Sequence, residues 1–130
     1  MSWAWVVPLG GQLDLLAGWL EPLLDRPGLV PVPAERLHIV VAAASSGEPP
    51  ELEPFDALVG PVRVDATGVL ADVIPVEPFL ELRARLGAEG TFVPQVVFAR
   101  ADGTRTFDPI EAVASEAVYV GTLTRLDLDA

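Results

Sequence analysis

The chain has 130 residues, 51% of them hydrophobic and 21% charged, with 13 prolines and 11 glycines scattered along it; this is the composition of one folded globular domain and excludes a disordered tail. All eight basic residues are arginine, and against 19 Asp and Glu they leave a net charge of −11, which argues against a nucleic-acid backbone or an anionic membrane surface as the main partner. Cysteine is absent and histidine occurs once, so disulfides, thiolate nucleophiles and sulfur-bound or two-histidine zinc within one chain are excluded, and a serine triad would have to run through His38.

The apolar stretch Met1 to Leu9 has no Lys or Arg before it and does not read as a secretion signal. Within it, Ser2 to Pro8 is expected as a strand, with Trp3, Trp5 and Val7 on one face and Ala4 and Val6 on the other. Gly10 and Gly11 break it, and Gln12 to Leu24 places Leu13, Leu16, Leu20 and Leu23 at helical spacing, with Pro22 in the last turn. A Pro-rich approach from Val30 to Arg36 leads into Leu37 to Ala44, read as a buried strand. Ser45 to Pro54 is a polar loop, and Phe55 to Val59 is expected as a turn or two of helix.

Val62 to Ala66 and Val69 to Ile74 flank Thr67-Gly68 as a hairpin. Pro78 to Leu86, with Phe79, Leu82 and Leu86 in helical register and Gly87 beyond, is the second helix. Pro94 to Ala101 is a strand followed by an Asp102-Gly103 turn, Asp108-Pro109-Ile110-Glu111 opens a short helix through Ala114, and Ala117 to Leu126 is the closing strand. The order predicts an α+β fold with a mainly antiparallel sheet and flanking helices. No apolar stretch reaches the roughly 18 to 20 residues that span a bilayer, and a cytoplasmic location is expected.

The two buried strands align on each other, His38-Ile39-Val40-Val41-Ala42 against Gln95-Val96-Val97-Phe98-Ala99, each preceded by a helix. The chain therefore reads as two pseudo-symmetric half-repeats within one domain, about 1–60 and 61–130. In each strand the first and third members share a face, so His38, Val40, Gln95 and Val97 are expected to meet in one cleft between the halves.

On these residues the sequence resembles the two-histidine (2H) phosphoesterases, the superfamily of 2'-5' RNA ligase-like and cyclic phosphodiesterase proteins, which carries two His-x-Thr motifs. Val32-Pro33-Ala34-Glu35-Arg36-Leu37-His38-Ile39-Val40-Val41 stands where the first is expected, and Pro94-Gln95-Val96-Val97-Phe98-Ala99-Arg100 where the second is expected. The resemblance covers nearly the whole chain. It implies two histidines acting as general acid and general base on a phosphodiester or 2',3'-cyclic phosphate, two threonine hydroxyls gripping phosphate oxygens, and no metal or other cofactor.

Only His38 stands in such a place; the second histidine position is Gln95, and both threonine positions are valine, Val40 and Val97. An amide exchanges no proton near neutral pH, and valine donates no hydrogen bond. At roughly 10² to 10⁴-fold per acid or base and about 10² or more per oxyanion donor, the loss of three of four groups leaves phosphodiester cleavage negligible.

The expectation is a degenerate site that takes a small neutral or apolar organic molecule, by binding or by limited acid/base chemistry such as cyclisation or proton transfer. His38 is its acid/base candidate, Gln95 its hydrogen-bonding partner, and Val40, Val97, Trp3 and Trp5 its walls. Two other readings stay open: a non-catalytic protein-interaction module, including a homo-oligomer, and a residual nucleotide cyclic phosphodiesterase. Arg36 and Arg100 flank the motifs and are expected in ordinary salt bridges. Asp102-Gly103 lacks the alternating acids of a calcium loop, Ser45-Ser46-Gly47 lacks a nucleophile-elbow context, and Glu77 and Glu81 suit a helix N-terminus.

Overall fold

The computed structural model describes residues 3–43, 51–88, 90, 92–112 and 114–127. Strand β1 (Trp3–Pro8) is followed by a 3-10 turn at Gly10–Leu13 and helix α1 (Asp14–Leu24), which runs through Pro22 and buries Leu16 and Leu20. Short β2 (Leu29–Pro31), a second 3-10 turn (Ala34–Arg36) and β3 (His38–Ala43) complete the first half. The second half holds β4 (Phe55–Asp65), β5 (Gly68–Ile74), α2 (Glu77–Arg85), β6 (Gln95–Ala101), β7 (Ile110–Ala112), β8 (Glu116–Val120) and β9 (Thr124–Asp127).

The strands form one curled antiparallel sheet in the order β7-β4-β5-β6-β3-β1-β9, with β2 added to β6 and β8 to β4. Two strand-helix-strand units, β1-α1-β3 and β5-α2-β6, thus lie about a centre where β3 meets β6, at the Ile39 to Val96 pair. This is the expected α+β architecture, a mainly antiparallel sheet with flanking helices. The helices cross over: α2 packs on β3 and α1 on β6, and Arg83 Nη1 donates to the Val41 carbonyl at 2.8 Å.

One face of the sheet carries the core. Ile39, Val41, Val69, Ala71, Val73, Val96 and Phe98 pack there with Leu13, Leu16 and Leu20 of the first half and Phe79 and Leu82 of α2. Phe79 is fully buried, with the Phe55 ring edge-on at 5.3 Å. The chain ends are tied by polar contacts. Glu116 accepts from the Leu16 N–H in the first turn of α1, and the Gln12 amide pairs with both backbone groups of Tyr119 on the free edge of β8.

Several local expectations are overturned. Phe55 to Val59 is strand, not helix, because Ala57 and Val59 alternate with exposed Asp56 and Leu58 and the segment pairs with β8. The helix expected after Asp108 is likewise strand, since Ile110–Ala112 pairs with Val62–Val64 and tertiary pairing overrides the capping signal. The closing strand is two, β8 and β9, parted at Gly121, where a Cβ would lie 2.6 Å from the Tyr119 ring. The hairpin turns at Ala66 and Thr67, with Gly68 already the first residue of β5. Ser2 of the first strand, Ala44 of the buried strand and residues 45–50 of the polar loop lie outside the described residues.

Candidate functional site

β3 and β6 pair antiparallel at Ile39 and Val96, and continuing that register would bring His38 toward Val97 and Val40 toward Gln95. Because Ile39 and Val96 are both fully buried on the core face, these four neighbours lie on the other face of the sheet. Across β5, Asp72 pairs with Gln95 and Leu70 with Val97; across β1, Val6 pairs with Val40. Two rows of side chains result: Asp72, Gln95, Val40, Val6 and, beside them, Leu70, Val97, His38.

His38 is half-buried and its Nδ1 lies 2.7 Å from the Arg36 carbonyl oxygen. A carbonyl only accepts, so Nδ1 carries the hydrogen, and in the neutral ring Nε2 keeps its lone pair. Gln95 Nε2 donates to Asp72 Oδ1 at 3.3 Å, and Arg63 Nη1 holds Asp72 Oδ2 at 2.8 Å. The same guanidinium reaches Asp65 Oδ2 at 3.9 Å. Asp65 accepts from both the hydroxyl and the N–H of Thr67, and these bonds, with Arg63 beside them, hold its carboxyl below the ordinary range. A polar chain thus runs from the tip of the β4–β5 hairpin to Gln95.

Beside His38 and Val40 a groove of about 380 Å³ is walled by Val30, Pro31, Val32, Pro33 and Leu126, with Arg36, Arg100 and Asp127 also lining it. Gln95 and Val97 do not line this groove but continue the face next to it. Arg36 and Arg100, expected in salt bridges, have no ion-pair partner among the described residues. Both are exposed, which lets water solvate them without one.

Trp3 and Trp5 are not brought to the cleft. Alternation along β1 gives the cleft side to Val6, so Trp5, 5% exposed, falls on the side of Val7, and the Trp3 ring is covered by the Arg125 guanidinium at 4.9 Å. Arg63 and Asp72 are polar groups of this face that the sequence reading passed over. The hairpin signal contained them, because pairing Asp65 with Gly68 sets Arg63 opposite Leu70 and diagonal to Asp72. Among the described residues no three His, Asp or Glu side chains converge as a metal-ligand set, and no helix is long and apolar enough to cross a membrane.

The curled antiparallel sheet with two helices is an α+β fold that this chain shares with several solved structures. Among solved structures it is similar to TT0787 of Thermus thermophilus, at TM-score 0.69 and 15% identity over 98% of this chain and 96% of that one. It is also similar to a phosphoesterase, at TM-score 0.62 and 16% identity over 94% and 86%, and to E. coli LigT in apo form, at TM-score 0.53 and 16% identity over 96% and 92%. In sequence, no family model and no curated protein matches the chain.

Proposed function

We propose that this chain is a single 2H-like domain, built from two half-repeats over residues 1–130, that has lost phosphoesterase chemistry and holds a small neutral or apolar organic molecule against the face bearing His38 and Gln95. It acts by binding, or by His38-assisted proton transfer or cyclisation. The observation that supports this most is the antiparallel pairing of Ile39 with Val96 at the sheet centre, both fully buried, which leaves their neighbours His38, Val40, Gln95 and Val97 for the other face. If the motifs align as the resemblance implies, the two phosphate-gripping hydroxyls are replaced there by methyl groups.

A phosphate brought to that wall loses hydration without gaining donors, whereas each ligand CH₂ buried against it is worth about 0.8 kcal/mol. The reading places the protein in the cytoplasm, away from nucleic acid and membranes, with no cofactor. Thermal shift at one ionic strength tests it, since a ligand of the native state raises stability by RT ln(1 + [L]/Kd). Neutral aromatic or aliphatic amides should raise Tm more than nucleotide monophosphates do, and Val40→Thr with Val97→Thr should weaken that shift while leaving the fold intact. A shift with nucleotides alone would move the assignment to a residual cyclic phosphodiesterase.

A second reading, a protein-interaction module, is favoured by Leu15 and Trp19, one helical turn apart on α1 and 80% and 59% exposed. Concentration-dependent association or partner capture that is lost in Trp19→Ser, with no small-molecule shift, would support it.

A further inference from the structure

The polar chain next to the cleft fixes which way Gln95 points. Ionised Asp72 only accepts hydrogen bonds, so the Gln95 group that meets it is the NH₂. Arg63 occupies the other carboxylate oxygen and holds Asp72 in place. The amide is planar, with its oxygen on the opposite edge from its nitrogen. With Nε2 drawn to Asp72 on β5, Oε1 is the amide atom left for a ligand, and β3 is the strand on the other side of β6 from β5.

Continuing the Ile39 to Val96 register makes His38 and Gln95 diagonal neighbours, positions that lie roughly 7 to 8 Å apart in antiparallel pairs, a spacing that admits one ligand group. Its Nδ1 hydrogen is engaged by Arg36, so Nε2 is an acceptor in the neutral ring. Val40 and Val97 supply no donors. The face therefore offers two acceptors, His38 Nε2 and Gln95 Oε1, beside the second N–H of the Gln95 amide, and a phosphate, carboxylate or ether set between the two acceptors places lone pairs against lone pairs.

We propose that Arg63 and Asp72 are positioning residues for Gln95, and that the cleft they shape selects a ligand group that donates a hydrogen (an alcohol, an N–H amide or a protonated amine) to His38 Nε2 and Gln95 Oε1. This rests on the cleft being a small-ligand site. Arg36 and Arg100, lining the groove beside His38, give an anion a competing seat, so anions belong in the test.

The lone histidine makes its ring nitrogens unambiguous in a ¹⁵N spectrum. The labelled protein is titrated with benzamide and benzyl alcohol, each against a partner without the donor, N,N-dimethylbenzamide and anisole, with benzoate and phenyl phosphate as anionic probes. The expected result is a shift at His38 Nε2 with an apparent Kd about tenfold lower for each donor than for its partner. In Asp72→Leu the Gln95 NH₂ resonances should move and the discrimination should collapse. Asp72→Asn, which keeps an oxygen for the NH₂, should retain it, and a preserved backbone amide spectrum verifies the fold of each variant.

Equal responses within both pairs would overturn the donor preference while leaving the small-ligand reading standing. Full discrimination in a folded Asp72→Leu would overturn the positioning role, as would its loss in Asp72→Asn. A response to benzoate and phenyl phosphate alone would overturn the neutral-ligand reading as well, and silence from every probe would overturn the small-ligand reading and this inference together.

Discussion

Replacing Gly68 by alanine is expected to be among the most costly single-methyl additions to this chain. Gly68 opens β5 with φ +136° and is paired with Asp65 on one side and Arg100 on the other. A Cβ built there would lie 2.1 Å from the Ala99 carbonyl oxygen, a backbone atom that no side-chain rotation can clear. Relieving that contact needs a separation of about 1 Å between β5 and β6, next to the Thr67 carbonyl that accepts from the Ala101 N–H at 3.0 Å. The left-handed backbone alone costs roughly 1 to 2 kcal/mol for a residue with a Cβ, and the forced strand separation adds a further penalty of the 1 to 3 kcal/mol seen for overpacking. The sum is about 2 to 5 kcal/mol. Gly103, at φ +85° with nothing within 4 Å of its Cβ position, supplies the control, because Gly103→Ala carries only the conformational part. Urea unfolding followed by tryptophan fluorescence, with buried Trp5 as reporter, should show Gly68→Ala at least about 1 kcal/mol less stable than Gly103→Ala. Equal losses in the two variants would refute the close-approach argument.

Three further outcomes are expected. Phe79→Ala should cost about 3 to 5 kcal/mol, because the ring is fully buried and its edge-on contact with Phe55 is lost; a loss under about 1 kcal/mol in urea unfolding would mean α2 contributes little to the core. Glu116→Ala should cost about 1 kcal/mol by removing the acceptor for the Leu16 N–H, and Glu116→Gln should recover most of it, with α1 amide exchange as the check. Asp65 has a folded pKa below its unfolded value, so its contribution is present above the unfolded pKa and is lost as pH falls through the folded one. Since Asp65 is substantially exposed, the effect is below about 1 kcal/mol after screening, and Thr67→Val should make stability less dependent on pH in the acid range, as read from urea midpoints at successive pH values.

The paired motif strands are legible because they lie at the sheet centre, where β-branched runs and period-two alternation act together. His38-Ile39-Val40 and Gln95-Val96-Val97 each bury the middle residue, and this alone sets the outer two on one face. The stripe Leu13, Leu16, Leu20 is equally plain, since a helix on a sheet must bury one side. The outer strands are not legible. Phe55 to Val59 pairs along its length with Glu116 to Val120, and Ile110 to Ala112 with Val62 to Val64, partners distant in the chain that local propensity does not report. The tryptophan alternation is plain in the sequence, but its direction is not: which face of β1 meets the cleft depends on the register with β3, where Val6 meets Val40. The Arg63-Asp72-Gln95 chain depends on two strand registers at once, β4 on β5 and β5 on β6.

The measurement that bears most directly on the central claim is steady-state hydrolysis of 2',3'-cyclic nucleotides and 2'-5' linked dinucleotides by the purified protein, beside His38→Ala. With Gln95 unable to exchange a proton and Val40 and Val97 unable to donate, no turnover above background and no difference between the two proteins are expected. Multiple turnover that disappears in His38→Ala would contradict this expectation and return the cleft to phosphoester chemistry.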